Sequence, residues 1–417
     1  MKTSLLVMFL VGVSLAANMA RASEKYVDIA GSRPCSDAPS YGSELHPWCR
    51  INYAVGQVRQ GDIVYVKNGN YLEDVYIIGK DGGADYITIQ NYPGHAPVIH
   101  GSGVGSGRNK LVNSSFIKLS GFTLTNFQQG LFVERSNNIV LQNLRVYNVG
   151  HEAIHIRFNS SFVTLKDSII YDTGKLSRYG EGVYIGTSSS QQPNSPPYDN
   201  THNILITGNT IYNTTDECIE VKEGAHNVTI DRNTMHDCLL DAKITDPNWG
   251  SIEVMEHRRY YSANPRHVIK NNVIRTTKTG VGVHTGATVF NNIIYGQTAN
   301  FRGISIDNPD SDNYARLVYH NTVDLPDSRA VVISSGTLAD IRNNIGPVLR
   351  TNMRTQGDLF VNQRAGDYQL AAGSAAIGAG ADLREWVTED IKGHSRLDRL
   401  RPDLGAYVFG VDPSQGR

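Results

Sequence analysis

The sequence is short of several things. Of 417 residues only four are cysteine, and neither sign of charge is in excess: 39 Lys+Arg face 40 Asp+Glu, for a net charge of −1. A balance that close supplies no field to hold nucleic acid or an anionic membrane, so neither is expected as a partner. After residue 22 no apolar run is long enough to span a bilayer. Amphipathic helical periodicity is missing too, which argues against a helical or α/β fold. No His/Cys cluster has the spacing of a zinc site.

What is present begins with a targeting segment. MKTSLLVMFLVGVSLAANMARA carries Lys2, an apolar stretch and the small-residue triplet Ala20-Arg21-Ala22. Residues 1–22 therefore read as a secretory signal peptide whose apolar core is short for a membrane anchor. A secreted or periplasmic location follows, and the four cysteines suit an oxidising compartment. Cys35 and Cys49 bracket a short N-terminal segment, and Cys218 and Cys238 sit at similar points of successive repeats. Two local disulfides fit, though four cysteines allow three pairings.

The mature chain repeats itself. ILITGNTIYN (204–213), VTIDRNTMHD (228–237), HVIKNNVIRT (267–276), ATVFNNIIYG (287–296), RLVYHNTVDL (316–325) and LADIRNNIGP (338–347) share an apolar pair followed by asparagine. The recurring residues are Asn209, Asn233, Asn272, Asn292, Asn321 and Asn343, spaced by 20 to 39 positions. Between the copies lies a second strand type, including AIHIRFN (153–159), GVYIGTS (182–188), CIEVKEG (218–224), SIEVMEH (251–257), GVGVHTG (280–286) and GISIDNP (303–309), each alternating apolar with non-apolar residues. Short strands, turn residues and a period above twenty residues predict an all-β, right-handed parallel β-helix. A β-sandwich or propeller is the competing reading. Asparagines stacked at an inward turn bond the backbone and one another. Residues 23–417 form one domain in this reading. Residues 23–60 would cap the first coil with a short helix, and residues 350–417 would cap the last.

The chain also resembles the right-handed parallel β-helix polysaccharide-lyase superfamily, at GDIVYVKNGNYLEDVYI (61–77), DYQLAAGSAAIGAGAD (367–382) and RPDLGAYVFG (401–410). GVYIGTS and IEVKEG on neighbouring coils resemble the alginate-lyase-type enzymes of polysaccharide lyase family thirty-one. That resemblance implies catalytic positions at Tyr184 and Lys222. Glu220, Glu253, Lys222 and Arg258 loosely resemble the calcium-dependent glutamate, lysine and arginine arrangement of chondroitinase-B-like lyases. A pectate lyase would suggest a run of calcium-binding aspartates near the lysine, and no such run is read here.

Alternation sends Ile219 and Val221 inward and Glu220 and Lys222 outward. In register, the outward pairs on successive coils are His155/Arg157, Tyr184/Gly186, Glu220/Lys222, Glu253/Met255 and Gly282/His284. His257, Arg258 and Arg259 follow the Glu253 strand. A groove of this composition suits an acidic polysaccharide lying across the strands. Lys222, Tyr184 and Arg258 are the catalytic candidates. His155, Arg157, Glu220, His257, Arg259 and His284 are the substrate-binding ones, and Glu220 with Glu253 a calcium pair.

The chemistry they support is β-elimination on a uronate polymer, alginate and above all poly-mannuronate leading. A base takes H5, an acid protonates the departing O4, and a cation offsets charge on the sugar carboxylate. Either Lys222 or Tyr184 suits the base, and Arg157 or Arg258 the carboxylate partner. The alternatives are a glycoside hydrolase using Glu220 and Glu253, a uronate epimerase, and a non-catalytic glycan-binding surface protein. A monomer is expected.

Overall fold

The computed structural model describes residues 23–192, 198–256, 264–298, 300–309, 311–325, 329–346, 353, 358–398 and 401–411. Among these, three parallel sheets of twelve, ten and ten strands carry the chain. Successive strands pass from one sheet to the next, so each turn of the chain lays one strand on each sheet and pairs it with the strand one turn earlier. This is the predicted parallel β-helix.

Alternation explains why the strands close around a common interior. Val183, Ile185, Ile219, Val221, Ile252, Val254, Val281 and Val283 are at most 1 % exposed and belong to one continuous apolar core. Burying one Val or Ile side chain is worth about 1.5–3 kcal/mol. A column of such residues on every sheet leaves the solenoid no other register, because a one-residue slip would turn each column outward.

The corners are set by backbone conformation. Where the twelve-stranded sheet hands over to the next, a left-handed residue recurs on every coil: Asn271 (φ 56°), Asn291 (55°), His320 (54°) and Asn343 (61°) are four of them. The residue after it points inward. Asn209, Asn233, Asn272, Asn292 and Asn321 do so as predicted, each main-chain N–H donating to the next side-chain Oδ1 at 2.8–3.0 Å. The last rung departs from expectation. It is Asn344, not Asn343, that receives Asn321. Asn343 takes the left-handed corner and bonds Ala381 through both its amide atoms. In an Asn-Asn doublet the sequence pattern does not say which member turns and which points in.

The N-terminal end carries the expected short helix, Ile51–Gln57, beside the Cys35–Cys49 disulfide, and Cys218 pairs with Cys238. The described part of the C-terminal segment lies along the side of the solenoid, where an end cap was anticipated. Leu359, Phe360, Tyr368 and Leu370 pack with Val273, Ile293 and Tyr295, outward residues of upstream coils. Arg396, fully buried, donates to Asn291 Oδ1 and to the carbonyls of Asp403, Gly405 and Glu389.

Candidate active site

One ten-stranded sheet carries the outward column foreseen in the sequence. Phe132, His155, Tyr184, Glu220, Glu253, Gly282 and Ser305 are paired in that order. Beside it run Glu134, Arg157, Gly186, Lys222, Met255, His284 and Asp307, with main-chain bonds such as Gly186 N to Ile156 O (2.7 Å) and Lys222 N to Ile185 O (2.8 Å). The column opens into a cleft of about 530 Å³ whose walls include Arg108, Phe132, Arg157, Arg178, Tyr179 and Trp249. Tyr184, Glu220 and Lys222 lie in its floor.

Lys222 donates to Glu220 Oε1, and its Nζ lies 5.4 Å from the Tyr184 ring centroid. Gly186 makes room: with φ +90° it takes a conformation few other residues adopt, and a Cβ there would sit 3.3 Å from Lys222 Cβ. Burial alone would lower the Lys222 pKa, but Glu220, Tyr184 and Glu217 together raise it. Burial raises the Tyr184 phenol, and Glu220, Glu181 and Glu223 add to that against the opposing pull of Lys222. Both groups therefore rest protonated.

The sequence reading missed a further column. Gly182 N bonds Glu217 O and Ala153 N bonds Glu181 O, so Glu152, Glu181 and Glu217 stack on successive coils, each three residues before the site residue of its strand. The signal was legible as EAIH (152–155), EGVY (181–184) and ECIE (217–220). It went unread because each strand was begun one residue too late. One carboxylate oxygen each from Glu181, Glu217 and Glu220 lies within 4.8 Å of the others. Among the described residues no donor reaches either oxygen of Glu217 or the second oxygen of Glu220. Burial and mutual repulsion raise Glu181 and Glu217 well above the usual carboxylate range and Glu220 to about 7, with Lys222 the counterweight for Glu217 and Glu220. Asp216 is pushed up to about 6, chiefly by burial.

Glu220 and Glu253, the expected calcium pair, stand on adjacent strands, but the close carboxylate cluster joins Glu220 to Glu181 and Glu217. Glu253 Oε2 accepts from Gly250 N at 2.7 Å, and its Oε1 contacts His284. His284 is held from both sides by Glu253 and Asp307; burial opposes its charge, but the two carboxylates raise it to about 11. With both ring nitrogens engaged, His284 has no polar atom left for a substrate. His155 is likewise committed. It is 3 % exposed, Nε2 donates to Gly186 O (3.0 Å), Nδ1 meets Glu152 (3.1 Å), and its ring stands edge-on to Tyr184 at 4.3 Å. It positions Tyr184 and does not reach into the cleft with a free nitrogen. Arg157 lines the cleft but spends Nε and one terminal nitrogen on Glu134. His257, Arg258 and Arg259 lie outside the described residues.

Residues 110–345 match the family described as a right-handed β-helix region. The chain belongs to that family. An overlapping stretch of this β-helix, residues 33–181, matches the Pel9A-like right-handed β-helix region. None of the curated proteins matches it. Among solved structures, the β-helix is similar to an alginate lyase from Paenibacillus sp. str. FPU-7, with 18 % identity over 70 % of this chain and 94 % of that one and a TM-score of 0.55. It is similar to a rhamnogalacturonan lyase at 15 % identity over 82 % and 91 %, TM-score 0.57. It also resembles a lacto-N-biosidase from Eubacterium ramulus at 13 % identity over 79 % and 67 %, TM-score 0.51. At such identity the likeness is one of fold, a β-helix that carbohydrate-active lyases and hydrolases share. Among the described residues no helix is long and apolar enough to cross a membrane.

Proposed function

We propose that the protein is a secreted or periplasmic polysaccharide lyase that cleaves a uronate polymer, poly-mannuronate alginate first, by β-elimination. The observation that carries this reading is the meeting of Tyr184, Lys222 and Glu220 in one cleft, with arginines on its walls. A hydrolase needs two carboxyl groups and leaves Lys222 and Tyr184 without a task.

Tyr184 is the acid. Its phenol is held protonated where O4 of the leaving sugar would lie, and His155 fixes its ring. Lys222 is the base, and Nζ takes H5 as the C4–O4 bond breaks and the C4–C5 double bond forms. For this the negative charge that keeps Lys222 an ammonium must first be offset. Glu181, Glu217 and Glu220 suit a hard cation, since they offer closely spaced oxygens on buried side chains, and among the described residues both oxygens of Glu217 and one of Glu220 have no donor. Calcium held there would supply the positive charge that offsets these carboxylates. Arg178, exposed in the cleft wall near Trp249, takes the role anticipated for Arg258 and faces the sugar carboxylate. The enzyme acts as a monomer on this reading.

The test is to follow ultraviolet absorbance of unsaturated uronate while the mature protein is incubated with a panel of uronic-acid polymers. An absorbing product from poly-mannuronate is expected. Reducing sugar released without absorbance would instead mean hydrolysis. Undiminished turnover by Lys222→Ala would remove the proposed centre.

A further inference from the structure

Charge is not spread evenly along the cleft. Arg108 stands in register with Gln129, the residue one coil before Glu152, so the line runs Arg108, Gln129, Glu152, Glu181, Glu217. It passes from a cation, through a neutral amide, to carboxylates. Glu152 is already met by His155 and by Gln129 Nε2 at 3.0 Å. Arg108 itself is half-buried, its guanidinium centred 4.9 Å from the Phe132 ring, whose other guanidinium neighbour is Arg157 at 4.7 Å. Arg157 is neutralised by Glu134. Among the described residues Arg108 makes no ion pair. Beside it, Gln129 Oε1 is buried and receives no donor. Both residues line the cleft.

We propose that Arg108 and Gln129 form a distal subsite for a uronate residue, with Arg108 binding the sugar carboxylate and Gln129 Oε1 accepting a sugar hydroxyl. A guanidinium stacked on a ring is held at low entropic cost and matches a carboxylate's two oxygens. An orphaned amide oxygen is satisfied by a hydroxyl donor, which a pyranose always offers. Three strand steps separate the Arg108 strand from the Tyr184 strand. At about 4.8 Å per step that is roughly 14 Å, or about one pyranose per coil for a chain lying along the solenoid axis. The subsite therefore reads the third sugar or so beyond the reacting one, which makes the enzyme favour internal cleavage of long anionic chains.

This inference rests on the anionic-polysaccharide reading of the cleft, and its test separates the two. The kcat/KM values of wild type and Arg108→Ala are measured on mannuronate oligosaccharides from dimer to hexamer. The hexamer-to-dimer ratio of kcat/KM is expected to fall about tenfold in the variant, the size of one lost charge-assisted contact, with the loss in KM. Arg108→Lys should recover part of it. An equal loss at every length would overturn the subsite. In parallel, calorimetry on Lys222→Ala with and without Arg108→Ala measures hexamer binding without turnover. Weaker binding in the double variant supports the subsite even if no product forms with any uronate, the outcome that would count against the lyase alone. Equal binding refutes the subsite. A carboxyl-reduced hexamer should bind both forms alike, and a difference there would count against carboxylate recognition.

Discussion

Lys222 shows how far one side chain's chemistry depends on its neighbours. Alone on a strand it reads as a solvated cation. Flanked by Glu220 and stacked near Tyr184, it becomes a partly buried ammonium in a crowd of carboxyls. Tyr184→Phe removes only a hydroxyl, and its expected cost is about 10²–10⁴-fold in kcat with little change in KM. Steady-state kinetics on poly-mannuronate decide it, and a variant within threefold of wild type would exclude the phenol as the acid. Glu217→Gln discharges the most isolated member of the trio. Cation dependence, read as the rise in melting temperature on adding calcium to chelator-treated protein, should shrink or vanish in this variant; an unchanged rise would place the cation elsewhere. Tyr184, Glu220 and Lys222 were legible because period-two alternation states which side chains share a face. Glu181 and Glu217 show in the sequence only as a glutamate three residues before the face residue of each strand, a repeat that alternation does not use because it is set by where the backbone enters the strand. The commitments of His155 and His284 were invisible as well: nothing in a sequence says that both nitrogens of a ring are already taken.

At the level of elements, the asparagine ladder is where local conformation and packing agree. Each rung joins a left-handed corner to an inward amide that bonds the coil on either side. Asn272→Ala would strand Asn233 N, which donates to its Oδ1, and would also remove the bond from Asn233 Nδ2 to that oxygen and those from its own Nδ2 to Ile230 O and Asn292 Oδ1. Losing these buried bonds should cost about 3 kcal/mol or more. Arg232→Gly, at the left-handed corner before Asn233, keeps the backbone conformation, gives up a surface ion pair with Asp231 and should cost clearly less. Urea unfolding of both variants checks the order, and equal losses would mean that corner and rung are not distinct roles. The doublets at 271–272, 291–292 and 343–344 explain why one rung was misread. Both members are polar, both suit the turn, and only stacking on the neighbouring coil tells them apart. The Cys218–Cys238 disulfide closes a 20-residue span that includes Glu220 and Lys222. Replacing both cysteines with serine should lower stability by about 3 kcal/mol.

Across the whole molecule, the buried acids give stability a pH dependence with a definite sign. Glu181, Glu217 and Glu220 have folded pKa values above their ordinary 4.5, so the folded chain holds more protons than the unfolded one. Their contribution to stability is complete below pH 4.5 and is lost as pH rises above it, that of Glu220 through about 7. Surface carboxylates held low, such as Asp382 at about 2, act in the opposite sense but only below about pH 4. Without divalent cations the melting temperature should therefore fall from pH 5 to pH 8, and Glu217→Gln should flatten the slope. A rise over that interval in the wild type would contradict the buried-acid picture. The sequence by itself determined the solenoid, its strands and the face on which Tyr184, Glu220 and Lys222 meet, since alternation and repeat spacing are properties of a chain read in order. Only the tertiary structure decided which acids cluster beneath that face, which histidines are spent, and that the C-terminal segment runs along the side of the coils. Those outcomes rest on contacts between residues far apart in the chain, and pairing across such distances leaves no local pattern to read.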